Sequence, residues 1–281
     1  MDIRTAILSG QPVPCEVIDA HTHLTPFHGR GWYQHKPAMA DTIRCLDRYG
    51  IDTVITSLHV FAAGYQDLAN ATTRRLIADY PGRVWGYVTV NPGWDVKRAA
   101  QEIAAYADAE GFAGFKLHPG WQPPMFAPAY ECVWAEANAR RAPVLCHTWC
   151  GDPPTRDFEK ALKKYPDVPL LVGHCGGSRE AYLEFIALSK DYPNCCLEIC
   201  GSLACDLWLE DIVAAAGADR VFFGTDMINC EGRLEIGRVG LAGIPEADKR
   251  KIFAGNFRRL LANRRPPAKL TDRTPGKAPR E

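Results

Sequence analysis

Short apolar runs rich in β-forming residues alternate with longer helical patterns along almost the entire chain, and this alternation restricts the fold more than any other feature. It is typical of βα units that build a parallel sheet. Strands are predicted at residues 17–20, 53–58, 84–90, 114–117, 143–146, 170–173, 195–199 and 221–224. Each is followed by a predicted helix, and these helices lie at 39–49, 65–80, 95–110, 130–141, 155–165, 179–191, 205–216 and 246–262.

Eight successive βα units predict closure into a barrel whose active site lies at the C-terminal ends of the strands. An open doubly wound sheet would normally carry a Gly-rich phosphate-binding turn after its first strand, and none follows residues 17–20. A chain of 281 residues can bury the core of such a barrel as one domain. We therefore expect a single-domain α/β protein, a TIM-type (β/α)₈ barrel over residues 1–264. The Pro-rich, charged tail at 265–281 is expected to be disordered.

The charge balance is neutral, with 33 Lys and Arg against 33 Asp and Glu, so no long-range field favours nucleic acid or an anionic membrane. No apolar run approaches the roughly 20 residues that span a bilayer, and the first residues lack the apolar segment of a signal peptide. The 11 cysteines are an odd number and several lie in apolar runs, which favours reduced thiols. The expectation is a soluble cytoplasmic protein with a small-molecule substrate, and homo-oligomerisation stays open.

Histidines concentrate where a barrel would gather them. Five of the 8 histidines lie at or just beyond the carboxyl ends of predicted strands, and Asp226 lies two residues past the last one. Strand ends that are far apart in sequence converge around one mouth of a barrel. The five are His21, His23, His118, His147 and His174.

These residue types suit a divalent metal. His21 and His23 continue the first strand, and a period of two points both rings to the same side. His147 and Asp226 supply a further nitrogen and an oxygen, a set that suits Zn²⁺ and tolerates Mn²⁺ or Fe²⁺. His174 is then left for proton transfer or as a further ligand. A single strand-end histidine is more often a hydrogen-bonded structural residue, and Asp226 alone could be a helix N-cap. Their joint placement favours the metal site.

Six segments in order resemble the amidohydrolase superfamily, and its amidohydrolase-2 branch most closely. This branch includes metal-dependent hydrolases and aminocarboxymuconate-semialdehyde-decarboxylase-like enzymes. The resemblance spans roughly residues 15–262. The segments are IDAHTHL at 18–24, KLHP at 116–119, VLCHT at 144–148, VGHCG at 172–176, GTD at 224–226 and IFAGN at 252–256.

The resemblance implies that His21, His23, His147 and Asp226 bind one metal and that His174 is the catalytic histidine near the metal-bound water. The chain departs from the family after Asp226, where a proline usually follows shortly and residues 227–230 read MINC instead.

Lys116 admits three interpretations. In binuclear members of the superfamily a lysine at this strand is a carbamate that bridges two metals. It could also provide a positive charge for a substrate carboxylate, or it could be structural. One metal is favoured, with a second only if Lys116 is carbamylated. His118 either lies beside the metal at the mouth or hydrogen-bonds the turn at residues 119–120.

The loops at about 25–38, 119–129 and 227–244 are expected to set specificity, because they follow strands at the mouth. Their aromatic residues favour a flat or apolar substrate, and their arginines could hold an acid group. Candidate substrate-binding residues are Lys116, His118, Trp121 and Arg233.

A metal at this mouth would activate water, so the sequence predicts hydrolysis of an amide, ester or lactone bond, with His174 and Asp226 as the catalytic proton carriers. The alternative is non-oxidative decarboxylation of an aromatic or unsaturated carboxylic acid by the same residues, and the ligand set does not separate the two reactions. A third hypothesis is a non-catalytic barrel that binds a metal or another ligand. The presence of a full set of metal ligands together with a catalytic base argues against it. A metal-dependent deoxyribonuclease would need a carboxylate in place of Lys116.

Overall fold

The computed structural model describes residues 1–24, 39–93, 95–119, 124–201 and 207–266. Within them, eight strands form one sheet in which each strand pairs in parallel with the next along the chain. All eight predicted strands are confirmed, with ends that differ by one or two residues. They are β1 (Ile18–Thr22), β2 (Thr53–Thr56), β3 (Val84–Thr89), β4 (Phe112–Leu117), β5 (Val144–Cys146), β6 (Leu170–Val172), β7 (Cys195–Glu198) and β8 (Val221–Phe222).

The chain beyond β8 returns to β1 and nearly closes the sheet. The amide of Ala20 donates to the carbonyl of Phe223 at 3.0 Å, and the amide of Asp226 donates to the carbonyl of His21 at 2.8 Å. A parallel bridge joins Thr22 to Met227. The predicted TIM-type barrel is therefore confirmed, and it directs the carboxyl ends of all eight strands to one mouth.

Helices follow the strands and cover the outside of the barrel. Most begin and end close to the predicted positions, and several carry a side-chain cap, as where Asp95 accepts from the amide of Arg98 at 3.0 Å. They are α1 (Ile3–Leu8), α2 (Met39–Tyr49), α3 (Gln66–Asp79), α4 (Val96–Tyr106), α5 (Glu131–Arg140), α6 (Thr155–Lys164), α7 (Arg179–Asp191), α8 (Trp208–Ala216), α9 (Gly232–Leu241), α10 (Glu246–Arg250) and α11 (Asn256–Asn263).

The barrel interior is packed with apolar side chains below the mouth. Alternate strand residues form one cluster, to which α11 contributes Phe257, Leu260 and Leu261. A larger cluster fills the space between the strands and the surrounding helices. Because apolar residues fill the rest of the interior, the buried polar side chains at the strand ends need a specific reason to be there.

The prediction of a loop at 227–244 is wrong for most of its length, because α9 occupies Gly232–Leu241. Its glycines, which have low helix propensity, concealed the helix. Gly240 packs closely on α1: a Cβ there would lie 1.9 Å from Cδ1 of Ile7, so the end of that side chain would have to move. The predicted helix at 246–262 is also interrupted, by a π-helical turn at Lys251–Gly255 between α10 and α11.

Three other expectations concern the cysteines, membrane-spanning helices, and the predicted loop and tail. The ten cysteines in the described ranges are free thiols, as the composition indicated. Among the helices of those ranges, none is both long and apolar enough to cross a membrane. The predicted loop at 25–38 lies outside the described residues, as does the tail predicted at 265–281 from residue 267 onward.

Candidate metal centre

The ends of four strands bring the predicted ligands and the predicted catalytic histidine to the mouth. His21 lies in β1, His23 directly follows it, and His147 directly follows β5, while His174 and Asp226 lie two and four residues beyond β6 and β8. The ring centroid of His174 is 4.8 Å from those of both His21 and His147. Nε2 of His23 is 3.2 Å from Oδ1 of Asp226. The structure thus brings these five residues together.

A bulge in β1 turns both of its histidines to the mouth. Ile18 and Ala20 belong to the interior apolar cluster, and a strict period of two would place His21 on the opposite face from Ala20. The register of β1 against β2 shifts between Asp19 and Thr22, which is how an extra residue re-aims the side chains that follow it. The rings of His21 and His23 consequently meet, with centroids 5.1 Å apart.

Hydrogen bonds fix the tautomers of both β1 histidines. Nδ1 of His23 is 2.7 Å from the carbonyl oxygen of Ser57. Because a carbonyl can only accept, His23 carries its proton on Nδ1 and keeps a lone pair on Nε2. Nδ1 of His21 is 2.7 Å from Oε2 of Glu198, which also accepts. Both Nε2 atoms therefore keep a lone pair that can bind a metal, and here the lone pair of His21 accepts from Nζ of Lys116 at 2.8 Å.

The same logic extends to His147. Nδ1 of His174 is 3.3 Å from the carbonyl oxygen of Cys200, so His174 donates there. Nε2 of His174 must then accept, and Nδ1 of His147 lies 3.1 Å from it. His147 therefore donates through Nδ1, and its Nε2 is also left with a lone pair.

The ligand candidates are in the deprotonated forms that metal binding requires. Burial lowers the pKa of His21 and of His147 far enough to keep both imidazoles neutral at pH 7. Burial alone would raise the pKa of Asp226, but the electrostatic influence of His23 and of the surrounding histidines holds it well below its usual range. Asp226 is accordingly a carboxylate.

These residues fit a divalent cation. One donor atom from each of His21, His23 and Asp226 lies within 4.8 Å of the others. His147 stands beside His174, outside that group of three. Imidazole nitrogens with one carboxylate oxygen suit Zn²⁺ and related metals.

Lys116, His118 and one histidine that the sequence analysis overlooked surround the ligands. Lys116 is fully buried, with Nζ 2.8 Å from Nε2 of His21, and burial lowers its pKa to about 8. His118 stacks on His147 with centroids 3.9 Å apart. His59 stacks in the same way on His23, at 3.7 Å. His59 immediately follows the predicted strand at 53–58, so its position carried the same signal as the other histidines.

Backbone strain coincides with the site. His174 and Cys175 have φ values of 61° and 47°, and Asp226 has a φ of 57°. Residues other than glycine seldom adopt this left-handed region, and they do so mainly where the surroundings enforce it, often at functional sites. The two proposed proton carriers are both held in this conformation.

Sequence reasoning also missed Glu198 and Cys200, which lie behind the mouth at the end of β7. Both are buried, and together with His21 and His174 they form a second group of close donor atoms. Burial raises the pKa of Glu198. The available signal was the carboxylate itself, since Glu198 interrupts the apolar run CCLEI at 195–199 and a buried carboxylate needs partners.

Of the two remaining predicted substrate-binding residues, one lies outside the described residues and the other is not brought to this site. Trp121 lies outside the described residues. Arg233 is on the exposed side of α9, where it pairs with Glu231 at 2.9 Å and lies over the ring of Tyr49. Arg238 of the same helix instead donates to the carbonyls of Ile199 and Gly201, at 2.7 Å each, and so supports the chain that follows β7.

Solved structures with the same fold cover most of this chain. The 5-carboxyvanillate decarboxylase of Sphingomonas paucimobilis is 15% identical, with a TM-score of 0.68, and 87% of this chain aligns with 98% of that one. A 2,6-dihydroxybenzoate decarboxylase from Rhizobium is 20% identical, with a TM-score of 0.68 and coverage of 88% and 98%. A dihydroxybenzoic acid decarboxylase from a Polaromonas species, solved with manganese and 2-nitroresorcinol, is 21% identical, with a TM-score of 0.66 and coverage of 88% and 96%. At these identities the similarity shows the fold alone.

Sequence comparison identifies the family. No curated protein matches the chain significantly. The amidohydrolase family model Amidohydro_2 matches residues 18–262, which run from the start of β1 to α11 and include every residue of the candidate metal centre. The chain therefore belongs to the Amidohydro_2 family of amidohydrolases.

Proposed function

We propose that this protein is a metal-dependent decarboxylase of an aromatic or unsaturated carboxylic acid. The observation that carries the proposal is the buried ammonium of Lys116 beside the metal ligands. The decarboxylases of similar fold support it, since they act on carboxylated aromatic rings. This reverses the order of preference drawn from the sequence, in which hydrolysis came first.

Lys116 supplies a positive charge that hydrogen-bonds no carboxylate within the described ranges, and Asp226 and Glu198 act on it only through space. Its ammonium contacts an imidazole nitrogen of His21 rather than a carboxylate. A buried charge is costly unless an opposite charge compensates it. A substrate carboxylate at the mouth would provide that charge, and every decarboxylase substrate carries one.

His174 is placed to carry the proton that decarboxylation consumes. When CO₂ leaves, the broken carbon–carbon bond leaves its electron pair on the substrate carbon, and that carbon takes up one proton. Burial lowers the pKa of His174 in the protein alone. A substrate anion beside the ring would raise the pKa again and favour the protonated form. Asp226, a carboxylate whose Oδ1 lies 3.2 Å from Nε2 of His23, is the second candidate to move the proton.

His21, His23, His147 and Asp226 would hold the metal. A divalent cation at this position supplies positive charge that binds and polarises substrate oxygens. Zn²⁺, Mn²⁺ and Fe²⁺ all tolerate this donor set, and one of the similar structures was solved with manganese. One metal is proposed, with a second only if Lys116 is carbamylated.

The test is a product assay on the metal-loaded protein. We expect CO₂ release from members of a panel of hydroxylated aromatic acids, with one deuterium at the vacated carbon when the reaction runs in D₂O. Lys116→Met should lower kcat/KM about 10- to 150-fold, because a charge-assisted hydrogen bond contributes about 1.5–3 kcal/mol. Lys249→Met removes a buried lysine of α10 that bonds the carbonyl of Gly240, and this control should stay within about twofold of wild type.

Hydrolysis is the second candidate, because the same centre can activate water. A parallel panel of amides, esters and lactones distinguishes the two reactions. Turnover in that panel without CO₂ release from any acid would contradict decarboxylation and restore hydrolysis.

A further inference from the structure

We propose that Glu198 is a positioning residue that fixes the tautomer and the ring orientation of the metal ligand His21. It rests on the metal centre of the proposed function but not on which reaction that centre performs. Glu198 lies behind the mouth and contacts Nδ1 of His21, so its action is exerted through that ring.

The carboxylate of Glu198 is saturated with donors. Oε2 lies 2.7 Å from Nδ1 of His21 and 3.1 Å from the amide of His174. Oε1 accepts from the amide of Cys200 at 2.7 Å, and the thiol of Cys200 lies 3.1 Å from Oε2. The side chain is fully buried, so water does not compete for these bonds. A carboxylate held by two backbone amides is a rigid acceptor for the imidazole proton.

The barrel topology makes this contact specific. β7 and β1 are the two neighbours of β8, so a side chain from β7 must pass β8 to reach β1. Gly224 stands at that level just after β8. A Cβ at Gly224 would lie 2.2 Å from Oε1 of Glu198 and 2.9 Å from Cβ of His21. Because Gly224 has no side chain, there is room for Glu198 to reach His21 past β8.

The consequence for His21 is chemical. With its proton on Nδ1, bonded to Glu198, the ring presents the lone pair of Nε2 to the mouth. An acceptor on the far nitrogen of a metal-binding histidine fixes its tautomer and raises its basicity as a ligand, and loss of such partners typically costs about 10- to 100-fold in metal affinity. The carbonyl of Ser57 serves His23 in the same way.

The cluster of His21, His174, Glu198 and Cys200 could instead be read as a second cation site, because its donor atoms lie close together. The spacing argues against this reading. Nδ1 of His21 lies 2.7 Å from Glu198 and 3.2 Å from Sγ of Cys200, distances typical of hydrogen bonds between the donors themselves. Four ligands about 2.0–2.3 Å from a zinc ion stand further apart than this.

The first experiment compares the Zn²⁺ affinity of Glu198→Gln and Glu235→Gln by competition with a chromophoric chelator. An amide has a single acceptor oxygen, so glutamine at 198 leaves at least one donor facing another donor. We expect the Zn²⁺ Kd to rise about 10- to 100-fold. Glu235 is a buried carboxylate of α9 paired with Arg238, and its variant should stay within about twofold of wild type.

A Kd for Glu198→Gln within twofold of wild type would overturn the proposal. Two bound Zn²⁺ per wild-type chain, with one lost in Glu198→Gln, would do the same by showing a cation site.

The second experiment is made on metal-free wild type and uses a variant only to assign signals. ¹⁵N NMR of metal-free wild type, with the His21 signals identified by their loss in His21→Asn, should show the proton of His21 on Nδ1. A proton on Nε2 would refute the assignment to Glu198. If no acid releases CO₂ while both results hold, decarboxylation fails and the role of Glu198 stands.

Discussion

The burial of the Lys116 ammonium leads to a quantitative prediction about the stability of the metal-free protein. Lys116 is fully buried, and burial lowers its pKa from 10.5 to about 8. The folded protein therefore holds this proton less tightly than the unfolded chain does. At about 1.4 kcal/mol for each pH unit between the two values, the protonated ammonium destabilises the fold by about 3 kcal/mol at pH 7.

Lys116→Met removes the charge and keeps most of the side-chain length. We expect the variant to be about 3 kcal/mol more stable than wild type at pH 7, as measured by urea unfolding of metal-free protein. Between about pH 8 and 10.5 the folded protein has released the proton and the unfolded chain still binds it, so the wild type recovers stability as pH rises. The difference should narrow to about 1.5 kcal/mol at pH 9.5.

The control is Lys163→Met, which removes an exposed ammonium paired with Glu159 and should leave stability essentially unchanged at both pH values. A Lys116→Met protein less stable than wild type, or a difference that does not narrow with pH, would refute the reasoning. A carbamylated Lys116 would give that second result, because it has no ammonium to titrate.

Four further predictions address the roles at the mouth and the packing around it. His21→Ala and His23→Ala should each lose the metal but keep the far-ultraviolet circular dichroism of the barrel, since catalytic metals seldom hold such a core together. His174→Asn should keep its metal and lose about 10²–10⁴ in kcat, whereas His147→Asn should lose both; the opposite pattern would exchange their roles. Elemental analysis should give one metal per chain, and a ratio near two would indicate carbamylation of Lys116. Gly240→Ala should destabilise the protein by about 1–3 kcal/mol through the clash with Ile7, and in an Ile7→Ala background the same change should be neutral or stabilising.

The barrel could be predicted because its strands are apolar on both faces, whereas its helices are apolar on one face only, so the two kinds of element differ in sequence pattern. Buried parallel strands give short continuous apolar runs, and all eight runs were strands. The strand-end histidines followed from the same reasoning, because closure brings strand ends together whatever their separation in sequence. The helix α9 could not be predicted, because a glycine such as Gly240 lowers the local helix propensity. Its presence there reflects close packing against Ile7 of α1, which the sequence does not show.

Glu198 shows why part of the site could not be found from the sequence. A single carboxylate at the end of an apolar strand belongs to no periodic pattern or motif, so the sequence does not indicate which residue it contacts. Its contact with His21, 177 residues away, depends on β8 lying between β7 and β1 and on Gly224 leaving room there. The bulge that turns His21 to the mouth is likewise a property of the pairing between β1 and β2.

The claim on which the rest depends is that the mouth of the barrel binds one metal through residues of β1 and of the chain beyond β5 and β8. Anomalous diffraction from a crystal of Zn²⁺-loaded protein, collected at the zinc edge, tests it directly. One peak should lie about 2.0–2.2 Å from Nε2 of His21, Nε2 of His23 and an oxygen of Asp226, with Nε2 of His147 completing the protein ligands. A map with no peak at the mouth, or with its peak between Glu198 and Cys200, would contradict the account.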